Sequence, residues 1–282
     1  MPDQTPQTVS VQFALKIGEG QLKAAIAVPA GQTNITELLP IIQNFESAIL
    51  GRVAAEAEAA GHPISCRAGC GACCRQMVPI SIFEAQALGN WVRTLTEEQQ
   101  RALEARFHQT LLKLRDSGII QRLIEEDWFA DNDTAKRMAI DYFRLGIPCP
   151  FLVDESCSIH PIRPLSCREY LVTSPPEQCK DPSTNNVAGI QLPIKLSRAL
   201  YRMGGELERD RRGWVPLVFL FAWMKSEADP GAACSGTGQE VFHQFLNHLA
   251  TTNGDNTPDH SPLRSNGPLG PAASDSVNPA AE

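Results

Sequence analysis

The sequence predicts a mainly α fold in which irregular cysteine-rich metal-binding segments pack on helices, with an N-terminal β-hairpin. Three observations carry this. Apolar residues alternate on both sides of a glycine-containing turn near the start. Several later stretches repeat their apolar residues at helical spacing between recognisable caps. Eight of the nine cysteines fall in two segments that have no sustained apolar period.

The hairpin reads from Val9, Val11, Phe13, Leu15 and Ile17, through Gly18-Glu19-Gly20, to Leu22, Ala24, Ile26 and Val28. One buried face is marginal alone in water, so it should pack on the helices that follow. A helix then starts between Asn34 and Pro40, with Asn34 and Glu37 as a capping box and Pro40 suited to the first turn. Its stripe is Leu38, Ile42, Phe45, Ile49 and Val53, and Gly61 and Pro63 stop it. Ser81 and Glu84 cap a second helix (Phe83, Leu88, Trp91, Val92, Leu95), and Thr96 and Gln99 a third (Leu103, Phe107, Leu111, Leu114) that ends at Gly118. Shorter helical patterns cover Ile119 to Phe129 and Thr134 to Leu145.

Residues 147–185 hold seven prolines and four cysteines, an irregular stretch that something must organise. Helical pattern returns over Ile190 to Leu207, Trp214 to Met224 reads as a buried helix, and Val241 to Leu249 as a last short one. From Thr251 the chain has five Pro, three Gly and no aromatic residue, the composition of a disordered tail. The expected organisation is a hairpin extension over 1–32, a helical cysteine-cluster domain over 33–250 and a tail over 251–282.

With 25 basic and 32 acidic residues the net charge is −7, which disfavours nucleic-acid binding. No apolar run approaches the ~20 residues of a membrane span, and Met1 to Ser10 shows no secretory signal, so a cytoplasmic protein is expected. Clustered thiols in a reducing compartment are more often metal ligands than disulfides.

The candidate ligands are Cys66, Cys70, Cys73 and Cys74, then Cys149, Cys157, Cys167 and Cys179. The spacing Cys66-x3-Cys70-x2-Cys73 lets one loop supply three sulfurs, with Gly69 and Gly71 giving backbone latitude. On an extended backbone Cys73 and Cys74 would diverge, leaving Cys74 to a second metal, the core or a redox role. Thiolates around an ion need positive compensation, and Arg67, Arg75, Arg163 and Arg168 are the only charged residues in Gly61–Ile80 and Cys157–Arg168. Arg163 and Arg168 are therefore candidate donors to sulfur. His160 is either an N ligand or a hydrogen-bonding group beside the centre. Cys234 stands alone, and His62, His108, His243, His248 and His260 have no metal spacing to any Cys.

The run Cys66-x3-Cys70-x2-Cys73-Cys74, then Pro79-Ile-Ser-Ile-Phe-Glu84, Cys149-Pro-Phe-Leu152, Cys157-Ser-Ile159 and Arg163-Pro-x-x-Cys167-Arg168 resembles the YkgJ-type cysteine-cluster family over about residues 66–168. The resemblance implies zinc or iron chelation, with Cys66, Cys70, Cys73, Cys74, Cys149, Cys157 and Cys167 at the family's cysteines and His160 at a variable position. Zinc, iron and a [4Fe–4S] cluster all stay open, and no partner is indicated. Flagellin lysine methylases carry a similar cluster, which makes a cluster-containing enzyme the alternative. The radical S-adenosylmethionine spacing is also matched, but Ala72 replaces the usual aromatic residue and Gly204-Gly205-Glu206 falls in a helical pattern. A third class is an interaction module whose loops zinc merely staples.

Overall fold

The computed structural model describes residues 7–17, 20–125, 131–181, 187–207, 213–226 and 228–252. The tail expected from Thr251 lies outside the described residues from 253 onward, as do Gly18-Glu19 of the first turn and residues 126–129 of the fourth helical pattern.

Strands β1 (Thr8–Ile17) and β2 (Gly20–Pro29) pair antiparallel in the register the alternation requires: Val9 opposite Val28, Val11 opposite Ile26, Phe13 opposite Ala24, Leu15 opposite Leu22. Val11, Leu15 and Val28 are buried in the largest apolar cluster, together with Leu38, Ile42 and Phe45 of α1 (Ile35–Ala59). The hairpin thus shares its core with the helices. Asn34 caps α1 by accepting the Glu37 N–H at 3.1 Å, but the Glu37 carboxylate takes the Thr33 hydroxyl instead of closing the box. Pro40 sits past the first turn, inside the helix, where the missing N–H leaves only the Thr36 carbonyl without its usual intrahelical partner.

Helices α2 (Ile82–Thr94) and α3 (Glu97–Asp116) begin with complete capping boxes at Ser81/Glu84 and Thr96/Gln99. After α4 (Ile119–Glu125), α5 (Asn132–Arg144) is capped by Asp131. The 147–181 stretch is not wholly irregular. It holds strands β5 (Leu152–Val153) and β6 (Ser156–Cys157), short 3₁₀ turns and α6 (Leu165–Arg168). The next helix, α7, spans only Leu196–Leu207, since Pro193 keeps the preceding residues out of it.

Trp214 to Met224 departs most from the expectation of one helix. Trp214–Pro216 forms β7, antiparallel to β4 (Pro79–Ser81), and helix resumes as a 3₁₀ turn and α8 (Leu220–Met224). Pro216 fits a strand end because it has no N–H to give the ladder, while Leu217 N–H reaches the Val78 carbonyl at 2.8 Å. Farther on, α9 (Pro230–Ala233) leads to β8 (Ser235–Thr237), which pairs with β3 (Gln32–Asn34). The last helix, α10 (Gly238–Thr252), packs Val241, Phe242 and Phe245 against the hairpin and α1. No described helix is long and apolar enough to cross a membrane.

Candidate metal centre

The first cysteine segment is a pair of tight turns. Ser65 is fixed by hydrogen bonds to the Val172 and Ser174 carbonyls, and Cys66 Sγ accepts the Val172 N–H at 3.4 Å. Cys70 N–H then closes on the Arg67 carbonyl at 3.1 Å, with Gly69 at φ +82°, and Cys74 N–H on the Gly71 carbonyl at 3.0 Å. Because 72–75 form a turn instead of extended chain, Cys73 and Cys74 do not diverge. The Cys74 side chain is near enough to be the first influence on the Cys73 thiol, which removes the geometric reason for separating Cys74 from its neighbour.

The second segment is tied directly onto the first. Cys149 N–H donates to the Cys74 carbonyl at 2.7 Å. The β5–β6 hairpin turns through Asp154 and Glu155, both at positive φ (48° and 57°), and its tip lies on the Gly71 backbone. A Cβ at position 71 would stand 2.7 Å from Glu155 Oε2 and 2.9 Å from the Glu155 carbonyl, so only glycine fits without displacement. Arg75 clamps the tip with two hydrogen bonds to the Glu155 carboxylate, at 3.1 and 2.6 Å, and a third to the Gly71 carbonyl at 2.9 Å. Cys167 rides on α6, whose first N–H, from Leu165, is held by Glu84 Oε1 at 2.7 Å. Cys179 is buried in the 3₁₀ turn Pro176–Lys180.

These elements surround one cavity of about 110 Å³, lined by Cys70, Cys73, Cys74, Cys149, Cys157 and Cys167. Cys66 and Cys179 stand outside its lining but pack with Cys73 against Phe143, Tyr170 and Val172. All eight therefore line that cavity or pack in the apolar cluster that includes Cys73. Among the described residues, however, no three His, Cys, Asp or Glu side chains stand where they could already hold an ion. The donor chemistry suits a soft metal, while closing a coordination sphere needs side-chain or loop movement. Cys234 is buried elsewhere, in the cluster built by the hairpin, α1, α7 and α10.

Burial dominates the electrostatics. It pushes the Cys149 and Cys179 thiols up to about 12, neighbouring sulfurs adding to the effect. Cys167 is raised well above the ordinary thiol value by burial, and Cys73 first by the adjacent Cys74 side chain, which favours its protonated form, and then by burial. Arg163 opposes this at Cys66, Cys73, Cys157 and Cys167. Arg168 spends its donors on the carbonyls of Arg163 (3.0 Å) and Pro161 (2.6 Å) and on Ser47, bracing the loop around Cys167. His160 lines the cavity with its pKa lowered by burial and then by Arg163 and Arg168.

Sequence reasoning missed several residues that the fold brings here. Glu169, Lys195, Ser197, Arg198 and Tyr201 form the opposite wall, and Glu46 is a buried carboxyl 3.8 Å from Arg168. None carries a local motif. Glu84 was visible as a cap, but its second oxygen, the one bound to Leu165, was not.

Residues 65–186 match the CxxCxxCC family model, whose description is "Putative zinc- or iron-chelating domain". The match covers less than half of the chain and reaches past the expected 66–168 to enclose Cys179. No curated protein matches the chain, and no solved structure does.

Proposed function

We propose that this chain chelates zinc or iron through one thiolate centre joining its two cysteine segments, with Cys66, Cys70, Cys73, Cys74, Cys149, Cys157, Cys167 and Cys179 as the donor pool. The observation that carries the reading is the convergence of six of these sulfurs on one cavity from segments about eighty residues apart in sequence, inside the stretch that the chelating family matches. Cys73, which neighbours both groups, is the ligand we place at the middle. Arg163 supplies the compensating charge. Bound there, the ion would cross-link loops that otherwise depend on a few backbone hydrogen bonds. The unit assigned to this role is the helical body of residues 33–250, with the hairpin as an extension and residues 251–282 as a tail.

Nine free thiols suit a reducing compartment such as the cytoplasm. A [4Fe–4S] cluster is the finer alternative that thiolate donors also accommodate, and a cluster-containing enzyme akin to flagellin lysine methylases would follow from it. The radical S-adenosylmethionine reading gains nothing from the fold, since Gly204-Gly205-Glu206 lies within α7.

The test is to purify the full chain without oxygen and measure zinc, iron and acid-labile sulfide per chain. Bound zinc or iron, lost in Cys73→Ser and kept in Cys234→Ser, is the expected result. Absence of both metals from the freshly purified chain, together with failure to take up either on addition, overturns the reading. Sulfide in proportion to iron selects the cluster.

A further inference from the structure

The hairpin has a bare edge. The Ala30 N–H donates to the Gln7 carbonyl at 2.8 Å, and in the β1–β2 register every second pair from there toward the turn exchanges hydrogen bonds: Val9 with Val28, Val11 with Ile26, Phe13 with Ala24, Leu15 with Leu22. The N–H and C=O groups of Gln21, Lys23, Ala25 and Ala27 therefore point away from β1, and among the described residues no strand pairs with them. Long edges are usually blunted by charges, prolines or bulges. This one carries a single charge, Lys23, a proline only at its end, Pro29, and an unbroken register.

Beyond the edge lies a groove of about 510 Å³, bounded by β2 from Gln21 to Ala27 and floored by Ile41, Phe45, Ile49 and Val53 of α1. The helix runs on to Ala59, yet past Ile49 none of its residues is buried. A bare edge above an apolar floor suits an extended chain, whose backbone completes the ladder while every second side chain enters the groove.

The only charges in the groove's lining, Arg52 and Glu56, pair with each other at 2.8 Å. Copies of a chain of net charge −7 repel one another less at such a neutral face than elsewhere. The chain's own end does not suit the groove, since 253–282 holds five prolines and no run of alternating apolar residues. A second β2 does. In antiparallel pairing about a two-fold axis, one register sets Gln21 opposite the partner's Ala27 and Lys23 opposite the partner's Ala25, so that all four outward residues are joined. On the inner face it sets Leu22 against the partner's Ile26 and Ala24 against the partner's Ala24. Shifting it either way brings the two Lys23 side chains face to face, or Gln21 opposite a proline that has no N–H to give.

We propose that two copies of this chain associate through β2, making a continuous four-stranded sheet in which Leu22 and Ile26 of each copy close over the groove of the other. The pairing uses no residue of the metal centre, so either reading can fail without the other.

The experiment is sedimentation velocity of the full chain from about 1 to 100 µM, with reductant present so that no disulfide joins the copies. A concentration-dependent dimer is expected, with the amides of Lys23 and Ala27 exchanging slowly in the dimer and fast on dilution. Ala25→Pro removes an outward N–H and spares the β1–β2 ladder. Ala48→Glu, at an exposed position in the lining, brings a charge into the groove and leaves the hairpin untouched. Each should weaken association about tenfold or more. A dimer that survives either variant overturns the proposal, and so does a chain that is monomeric throughout. Binding of a synthetic peptide of alternating valine and lysine by that monomer would assign the groove to a foreign strand instead.

Discussion

Glu84 and Leu165 are eighty-one residues apart and joined by one buried hydrogen bond, 2.7 Å from the Leu165 N–H to Glu84 Oε1. The other oxygen of the same carboxylate accepts the N–H and hydroxyl of Ser81. One side chain therefore starts α2 and also fixes the first turn of α6, the helix that carries Cys167. Replacing Glu84 with Ala strands buried donors at both places. The expected cost is about 2–4 kcal/mol by urea denaturation, with faster amide exchange at Leu165 than in helices remote from it. Unchanged exchange at Leu165 would deny the link between the two segments.

Glu46 carries a pH signature. It is only 2% exposed, neither oxygen has a hydrogen-bond partner, and burial, then Glu169, pushes its pKa up to about 10, the nearby Arg168 lowering it only in part. An acid whose folded pKa exceeds its unfolded value contributes full stability below the unfolded value, near 4.5, and loses it as pH rises toward 10. Glu46→Gln should therefore equal the wild type near pH 4 and exceed it at pH 7–8 by on the order of 2 kcal/mol. Equal melting curves at both pH values would show that the carboxyl is not buried as described.

Loading the thiol centre must expel protons. With Cys149 and Cys179 held up to about 12, their protons stay on until an ion displaces them. Titration of metal-free chain with zinc in weak buffer should release about two to four protons per ion, and apparent affinity should fall steeply with acid. A pH-independent affinity would mean that the thiols are not the ligands.

Contact between the hairpin tip and the first cysteine loop predicts a steric effect at Gly71. Gly71→Ala places a methyl within 3 Å of Glu155 backbone and side-chain oxygens, and about 1–3 kcal/mol should be lost with weaker metal retention. Arg75→Ala removes a half-exposed ion pair and one hydrogen bond to the Gly71 carbonyl, and should cost about 1 kcal/mol or less. The reverse ranking, read from thermal melts, would overturn the close approach.

Legibility in the sequence follows the range of the forces involved. The β1–β2 register, the caps at Ser81, Thr96 and Asn34 and the stripe of α1 were readable because each is decided within a few residues. The β5–β6 hairpin was not, since Asp154-Glu155 occupies a positive-φ turn without the glycine that usually marks one. Trp214–Pro216 looks helical in isolation and becomes a strand only because Pro79–Ser81, more than a hundred residues earlier, supplies its partner. In the site, cysteine spacing named the candidate donors. The turn that brings Cys73 and Cys74 together, and the wall of Lys195 and Arg198, depend on tertiary packing that no local pattern encodes.

The pairing of β3 with β8 has a temporal side. Gln32–Asn34 leaves the ribosome early, yet its partner Ser235–Thr237 follows roughly 200 residues later. At synthesis rates of about 5–20 residues per second, that partner arrives on the order of ten to forty seconds after it. For about half of that interval the first four thiols have been made but the segment 149–181 that packs on them has not. The nascent chain is therefore open to oxidants and stray ions before it can select its own, and its yield in cells should depend on how reducing the surroundings are while it is being made.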